Sequence, residues 1–242
     1  MKRREFLSTS AGAGITLAAV SLPNLPMLPA AEVNPCLGAG IALSGDRKLP
    51  VPAKGSIPVA VAISAGATVI DFSGPWEVFQ DVNVPTPFEL YTVSEKTDPI
   101  IGSGGLKLVP DYTFETAPQP KVVVVGAQAG SPALHEWLRK VHPKTDVTLS
   151  VCTGAFQLAK AGLLAGKTAT THHDFADRLA KNYPDIDVKR GVRFVEGDHI
   201  STAGGLSSGI DLALRVVDRY FGRRVAQATA VYMEYQGQGW IV

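Results

Sequence analysis

The sequence predicts an α/β fold with a mostly parallel sheet covered on both faces, and three observations carry that expectation. From Ile57 onward apolar runs alternate with helical patterns, the order that successive strand–helix units produce. One run, Val122-Val123-Val124-Val125, is apolar without alternation, as a strand buried on both faces requires. A strand also passes directly into a helix at Ser150-Val151-Cys152-Thr153-Gly154. With no loop between them and a glycine two positions on, this is the sharp corner of a nucleophile elbow.

Taken in order, strands are expected at Pro58–Ile63, Phe88–Ser94, Lys121–Gly126 and Asp146–Val151, and helices at Pro75–Val82, Ser131–His142, Gly154–Leu164, His172–Asn182, Ser207–Phe221 and Arg223–Tyr235. Ser131-Pro132 supplies a capping hydroxyl and then proline in the first helical turn. Ile100–Pro110, centred on Gly104-Gly105, reads as a hairpin insertion, and Gly191–Thr202, turning at Glu196-Gly197-Asp198, as another. No internal repeat interrupts this order. The sum is a flavodoxin-like three-layer α/β/α sandwich with a mostly parallel sheet and a nucleophile elbow.

Composition narrows the function. A hydrophobic fraction of 45% and a charged fraction of 19% belong to a globular protein with a core. The formal net charge of +1, with both signs spread along the chain, leaves no electrostatic footprint for nucleic acid or an anionic membrane. A small-molecule substrate is the expected partner. The first residues are read apart from the fold. Arg3-Arg4 precede Phe6-Leu7 and the apolar stretch Ala11–Leu22, and Ala30-Ala31 offers a small-residue cleavage site, which together read as a twin-arginine export signal over residues 1–31. A spanning helix needs about 20 continuous apolar residues. Ser21, Pro23, Asn24 and Pro26 interrupt this one, so no stable membrane insertion is expected after signal removal, and a periplasmic location is. Residues 32–55, rich in proline and glycine, read as a mobile linker, and 56–242 as a single domain. The two cysteines, Cys36 and Cys152, fall on opposite sides of that boundary, and a disulfide between them is not expected.

Cys152 carries the chemistry. A free thiol has a pKa of about 8.5, and the partial positive charge of a helix N-terminus lowers it. A cysteine at the elbow is therefore a candidate activated nucleophile, where an ordinary lone cysteine is a small buried hydrophobe. Asp71 follows the apolar Thr68-Val69-Ile70 and precedes Gly74-Pro75, where a helix is expected to begin. It is either a helix cap or a carboxyl beside the cysteine. In the second case it tends to keep a proton, and the pair titrates as one unit.

Four separated motifs then give a resemblance: Asp71-Phe72-Ser73-Gly74-Pro75, Ser150–Gly154, Ala161–His172, and Thr202-Ala203-Gly204-Gly205-Leu206-Ser207-Ser208-Gly209-Ile210-Asp211. In that order they resemble the ThiJ/PfpI superfamily, class I glutamine-amidotransferase-like, and its isonitrile hydratase (cyclohexyl-isocyanide hydratase) branch, over Ile57 to Tyr235. The resemblance implies cysteine-dependent hydration of R–N≡C to an N-substituted formamide without metal or organic cofactor, by a homodimer. It implies Cys152 as nucleophile, Asp71 as acid and Thr153 as the residue that positions a proton or water. It also places His172 near the cysteine, and Gly126, Ala127, His172 and Gly205 complete the expected substrate-binding or oxyanion set. Threonine stands after the cysteine where the protease-like branch carries histidine, which argues against peptidase activity. The loop Gly126-Ala127-Gln128-Ala129-Gly130 lacks the Pro-Gly-Gly of many relatives, although its amides remain candidates for stabilising developing charge.

Other readings weigh less. A glyoxalase or deglycase acting on reactive carbonyls would keep the same cysteine. A redox or ligand sensor would use it without turnover, but no DNA-binding segment is legible. Gly162–Thr168 nearly spells a phosphate loop, yet it is one residue short and ends a helix, where Gly166 reads as a C-cap. His172, His173 and Asp174 invite a metal, but side chains of adjacent helical residues diverge by about 100°. No metal is expected.

Overall fold

The computed structural model describes residues 38–45 and 47–242. The expected export signal, its expected cleavage site and Cys36 lie outside the described residues. No helix among the described residues is long and apolar enough to cross a membrane.

The chain runs β1 (Ile41–Ala42), β2 (Ile57–Ala62), α1 (Val69–Gln80), β3 (Phe88–Ser94), β4 (Ile100–Ile101), β5 (Lys107–Leu108), β6 (Tyr112–Thr113), β7 (Val122–Val125) and α2 (Pro132–Val141). It continues through β8 (Val147–Val151), α3 (Gly154–Lys160), β9 (Thr168–Ala169), α4 (Ala176–Asn182), β10 (Asp187–Val188), β11 (Phe194–Glu196), β12 (Ile200–Ala203), α5 (Ser208–Phe221) and α6 (Arg223–Tyr232). Eight strands form one sheet in the order β1-β11-β12-β8-β7-β2-β3-β6. Every pairing in it is parallel except β11 with β12. The fold is thus the flavodoxin-like α/β sandwich the sequence predicts.

The valine run shows why. All four residues of β7 are buried, with Val122 and Val124 in the core under α1, α5 and α6, and Val123 and Val125 in the core under α2, α3 and α4. Side chains alternate across a strand, so only a strand with helices on both faces can bury consecutive valines. Both expected hairpins form, β4 with β5 and β11 with β12. The Ser131 hydroxyl caps α2 by accepting from the Leu134 amide at 3.2 Å.

Three expectations need correction. The first helix begins at Val69, not Pro75, so Asp71 lies inside its first turn and Pro75 inside the helix. Gly74 and Pro75 serve packing here: a Cβ on Gly74 would sit 3.0 Å from Ile210 of α5, and the Pro75 ring lies 3.3 Å from where a Cβ of Gly209 would be. The helix after the elbow ends at Lys160, and its terminator is Gly162 in the left-handed region (φ 77), four residues ahead of Gly166. The described part of the expected linker is integral to the domain. Ile41–Ala42 pair in parallel with β11, Leu49 is buried in the core, and the Leu49 amide donates to the Arg219 carbonyl at 2.8 Å. Tertiary contacts order a segment whose composition reads as a spacer.

Candidate active site

Four adjacent strands, β12, β8, β7 and β2, point their carboxyl ends at one place, and each connection that follows delivers part of the site. After β8 comes the elbow. Cys152 has φ 58, a left-handed conformation rare outside glycine and costly for a residue with a Cβ. Its amide donates to the Gly204 carbonyl at 2.7 Å, its carbonyl accepts from the Thr171 hydroxyl at 2.8 Å, and these bonds hold the turn. Gly154 lets the corner pass, since a Cβ there would lie 2.0 Å from the Val125 carbonyl oxygen.

From the connection after β2 comes Asp71, fully buried. Its Oδ2 accepts from the Ala127 amide at 2.9 Å. Its Oδ1 is buried and takes no hydrogen bond from the described residues. Gly126, after β7, makes room for it: a Cβ on Gly126 would sit 2.8 Å from the Asp71 Cβ. Burial pushes the Asp71 carboxyl up to about 6, with the Ala127 amide and the Cys152 thiol pulling the other way.

The thiol departs from expectation. Burial first, and then the Asp71 charge, push Cys152 up to about 11. The amides of Thr153 and Leu206 and the Thr153 hydroxyl, which favour the thiolate, only partly offset this. The short helix α3 does not yield a resting thiolate, because a desolvated sulfur beside a carboxyl outweighs a helix end. Both groups are raised, and at neutral pH they titrate as one unit that holds a single proton.

The remaining expected residues divide. Thr153 is in place, its amide and hydroxyl both favouring the thiolate of Cys152. Ala127 belongs to the site but not as an oxyanion donor, because its amide is taken by Asp71. The contribution of Gly126 is space. Gly205 is a close-approach position, since a Cβ there would lie 2.4 Å from the His172 ring. His172 thus packs on the turn beside Gly204, and burial lowers its pKa. Its Nδ1 accepts from the Asp174 amide at 3.3 Å. The divergence expected of His172 and His173 does not occur: His172 is extended (ψ 135) ahead of a 3-10 turn, so the two rings stack 4.3 Å apart. Ligand atoms of His172, His173 and Asp174 come within 4.8 Å of one another on a largely exposed turn.

Two contributors are absent from the expected set. Leu206 offers its amide to the sulfur from a left-handed conformation, φ 49. The adjacent Gly204-Gly205 was the available hint of an unusual turn. Gln157, buried in α3, donates to the carbonyls of Gln128 (3.0 Å) and Ala129 (3.3 Å) and meets His135 at 2.9 Å. Gln128 donates to the Ala62 carbonyl at 2.9 Å, and the Gly130 amide to the Ser64 hydroxyl at 2.9 Å. These bonds fix the Gly126–Gly130 loop without a Pro-Gly-Gly sequence.

A strained cysteine elbow on a flavodoxin-like sheet, with a buried carboxyl at its side, defines a class of thiol-centred α/β proteins. Within it the chain belongs to the DJ-1/PfpI family, whose model matches residues 58–219. It is similar to an isonitrile hydratase from Pseudomonas putida, 34% identical over 172 residues, covering 69% of this chain and 73% of that protein. It is also similar to the HTH-type transcriptional regulator CdhR of Pseudomonas aeruginosa, 32% identical over 57% of this chain but only 43% of the regulator. Among solved structures, a ThiJ/PfpI family protein from Pseudomonas syringae superposes with a TM-score of 0.67 at 27% identity, covering 78% of each chain. DJ-1beta of Drosophila melanogaster shares the fold at a TM-score of 0.66 and 17% identity, over 75% of this chain and all of that one.

Proposed function

We propose that the protein is a cysteine-dependent hydratase that converts an isonitrile and water to an N-substituted formamide. The observation that carries this reading is the buried Asp71 carboxyl beside the Cys152 thiol at the elbow, a pair in which the sulfur can pass its proton to the carboxyl as it becomes the nucleophile. The terminal carbon of R–N≡C both accepts a proton and bonds to a nucleophile. In the first step the S–H bond breaks, its proton passes by way of Asp71 to that carbon, and the sulfur electron pair forms the C–S bond of a thioimidate, R–N=CH–S–Cys152. Water then adds to the same carbon, the C–S bond breaks, R–NH–CHO leaves, and the thiol regains its proton. Asp71 Oδ1, with no bond from the described residues, is the oxygen free to carry that proton. The Thr153 and Leu206 amides and the Thr153 hydroxyl steady the sulfur while it is negative.

The 34% identity to an isonitrile hydratase supports the substrate class. The raised thiol pKa favours an enzyme over a peroxide sensor, since oxidation follows resting thiolate character and exposure. The test is formamide production from a panel of isonitriles by wild type, Cys152→Ala and Asp71→Asn. Turnover in wild type, reduced about a thousandfold or more in both variants, is the expected result. A wild type inactive on every isonitrile sinks the reading.

A further inference from the structure

Thr153, the residue after Cys152, forms part of the wall of a cavity of about 270 Å3 between α3 and α4. The loop residues Gln128 and Ala129, next to the amide that holds Asp71, close another side. Its walls are both aromatic and cationic: Phe156 and Lys160 from α3, Phe175, Arg178 and Tyr183 from the α4 side. Phe156 and Phe175 meet edge to face at 6.5 Å, and the Arg178 guanidinium carbon lies 5.7 Å and 6.0 Å from their ring centroids. The guanidinium is thereby held against the cavity's two aromatic rings before any ligand arrives.

The cations are also uncommitted. No carboxylate among the described residues lies within 4.0 Å of Lys160 or Arg178. The nearest acid in sequence, Asp177, is taken by Arg190 at 2.6 Å. Gln157, which also lines the cavity, has both polar atoms bonded within the protein, so it is wall and not ligand. The volume falls just below the roughly 300–1,000 Å3 of sites for drug-sized molecules, which suits a small group.

We propose that this cavity seats the non-reacting end of the substrate and that this end carries a carboxylate, so that the enzyme acts on small anionic molecules with a flat apolar portion. The inference rests on Cys152 as the reacting atom, and its test is independent of hydration. Wild-type protein is alkylated with iodoacetate and, separately, with iodoacetamide at about pH 8.5, where some thiolate is available. Modification is followed on the Cys152 peptide by mass spectrometry, which keeps Cys36 out of the count. Dividing the two rates cancels the intrinsic reactivity of the thiol and leaves the preference for an anion.

That ratio is expected to be roughly fivefold or more higher in wild type than in the Lys160→Ala/Arg178→Ala double variant, and lower still in Arg178→Glu, with the difference shrinking as salt is added. Both side chains are exposed, so the variants should fold. A ratio equal in wild type and double variant overturns the proposal even if the protein hydrates isonitriles. A charge-dependent ratio upholds it even if the isonitrile panel is silent, in which case the hydratase reading falls alone.

Discussion

Two buried acidic groups in this protein have opposite surroundings. Glu196, at the end of β11, is fully buried among partners. Arg215 reaches it through Nε at 2.5 Å, the Ser44 hydroxyl donates to it, and the Arg219 Nε lies 3.8 Å away. Arg215 goes on to Asp218 (3.2 Å) and the Gly45 carbonyl (2.7 Å), and Arg223 closes on Asp218 at 2.7 Å. Asp71, just as buried, has one amide and a neighbouring thiol, and an oxygen with no bond among the described residues. Glu196 ends one strand of the sheet, and Asp71 lies in the first turn of the helix that follows another. The first cluster is saturated, which is how a buried charge is held in a stable structure. The second is left short, which a structure tolerates where a proton must move. What separates these two carboxyls is the unfilled oxygen, not burial or acidity.

The largest effect that tests this contrast is on the saturated side. Arg215→Ala strands Glu196 and Asp218 without their shared guanidinium, and such a loss costs about 3–5 kcal/mol. Urea unfolding should show it as a lower midpoint, with loosening of the 38–49 segment that Arg215 and Arg219 hold through Gly45, Arg47 and Leu49. Replacing Glu196 and Arg215 together by leucine should recover part of the loss, since a paired apolar swap leaves fewer stranded charges. A single variant as stable as wild type would remove the distinction.

On the unsatisfied side the sign reverses. Asp71 has its folded pKa raised from 3.8 to about 6, so the folded state binds its proton more tightly than the unfolded chain does. The stability this contributes is fully present below about pH 4 and is lost as pH rises through about 6. At neutral pH the protein carries a buried, under-solvated charge. Asp71→Asn removes the charge, keeps an oxygen for the Ala127 amide, and should raise stability at neutral pH by about 1–3 kcal/mol, with the gain fading toward pH 4. Thermal unfolding of both proteins at several pH values reads this directly. A variant less stable than wild type at pH 7 would place Asp71 with the structural carboxylates.

The sheet was legible in the sequence because its central strands are buried on both faces and write that into unbroken apolar runs, Val122–Val125 most clearly. The elbow was legible because Cys152 and Gly154 stand where strand becomes helix. Elements fixed by distant partners were not. β1 is two residues of a glycine-rich segment ordered by β11 and the arginines of α5. The start of α1 was misplaced because Gly74-Pro75 reads locally as a helix opening, while its role is close packing on Ile210 and Gly209. Within the site, residue identities were legible and electrostatics were not. Nothing local to Cys152 announces Asp71, 81 positions earlier, as the charge that raises its pKa, nor does Ala127 announce that its amide is already taken.

The thiol offers the smallest and most discriminating effect. If the helix end governed Cys152, Asp71→Asn would leave its reactivity toward iodoacetamide nearly unchanged. If Asp71 drew the proton off the resting thiol, the variant would react more slowly. The structure has burial and the Asp71 charge raising the thiol, so removing that charge lowers the thiol pKa, and alkylation at about pH 8 should accelerate several-fold as the thiolate fraction grows. The same substitution should abolish turnover, which needs the carboxyl to carry the proton and not merely a more ionised sulfur. A faster nucleophile in a dead enzyme would separate the two parts of the pair. In wild type, turnover should rise through about pH 6, as Asp71 ionises and the pair comes to hold one proton, and stay level until the thiol itself begins to ionise toward about 11.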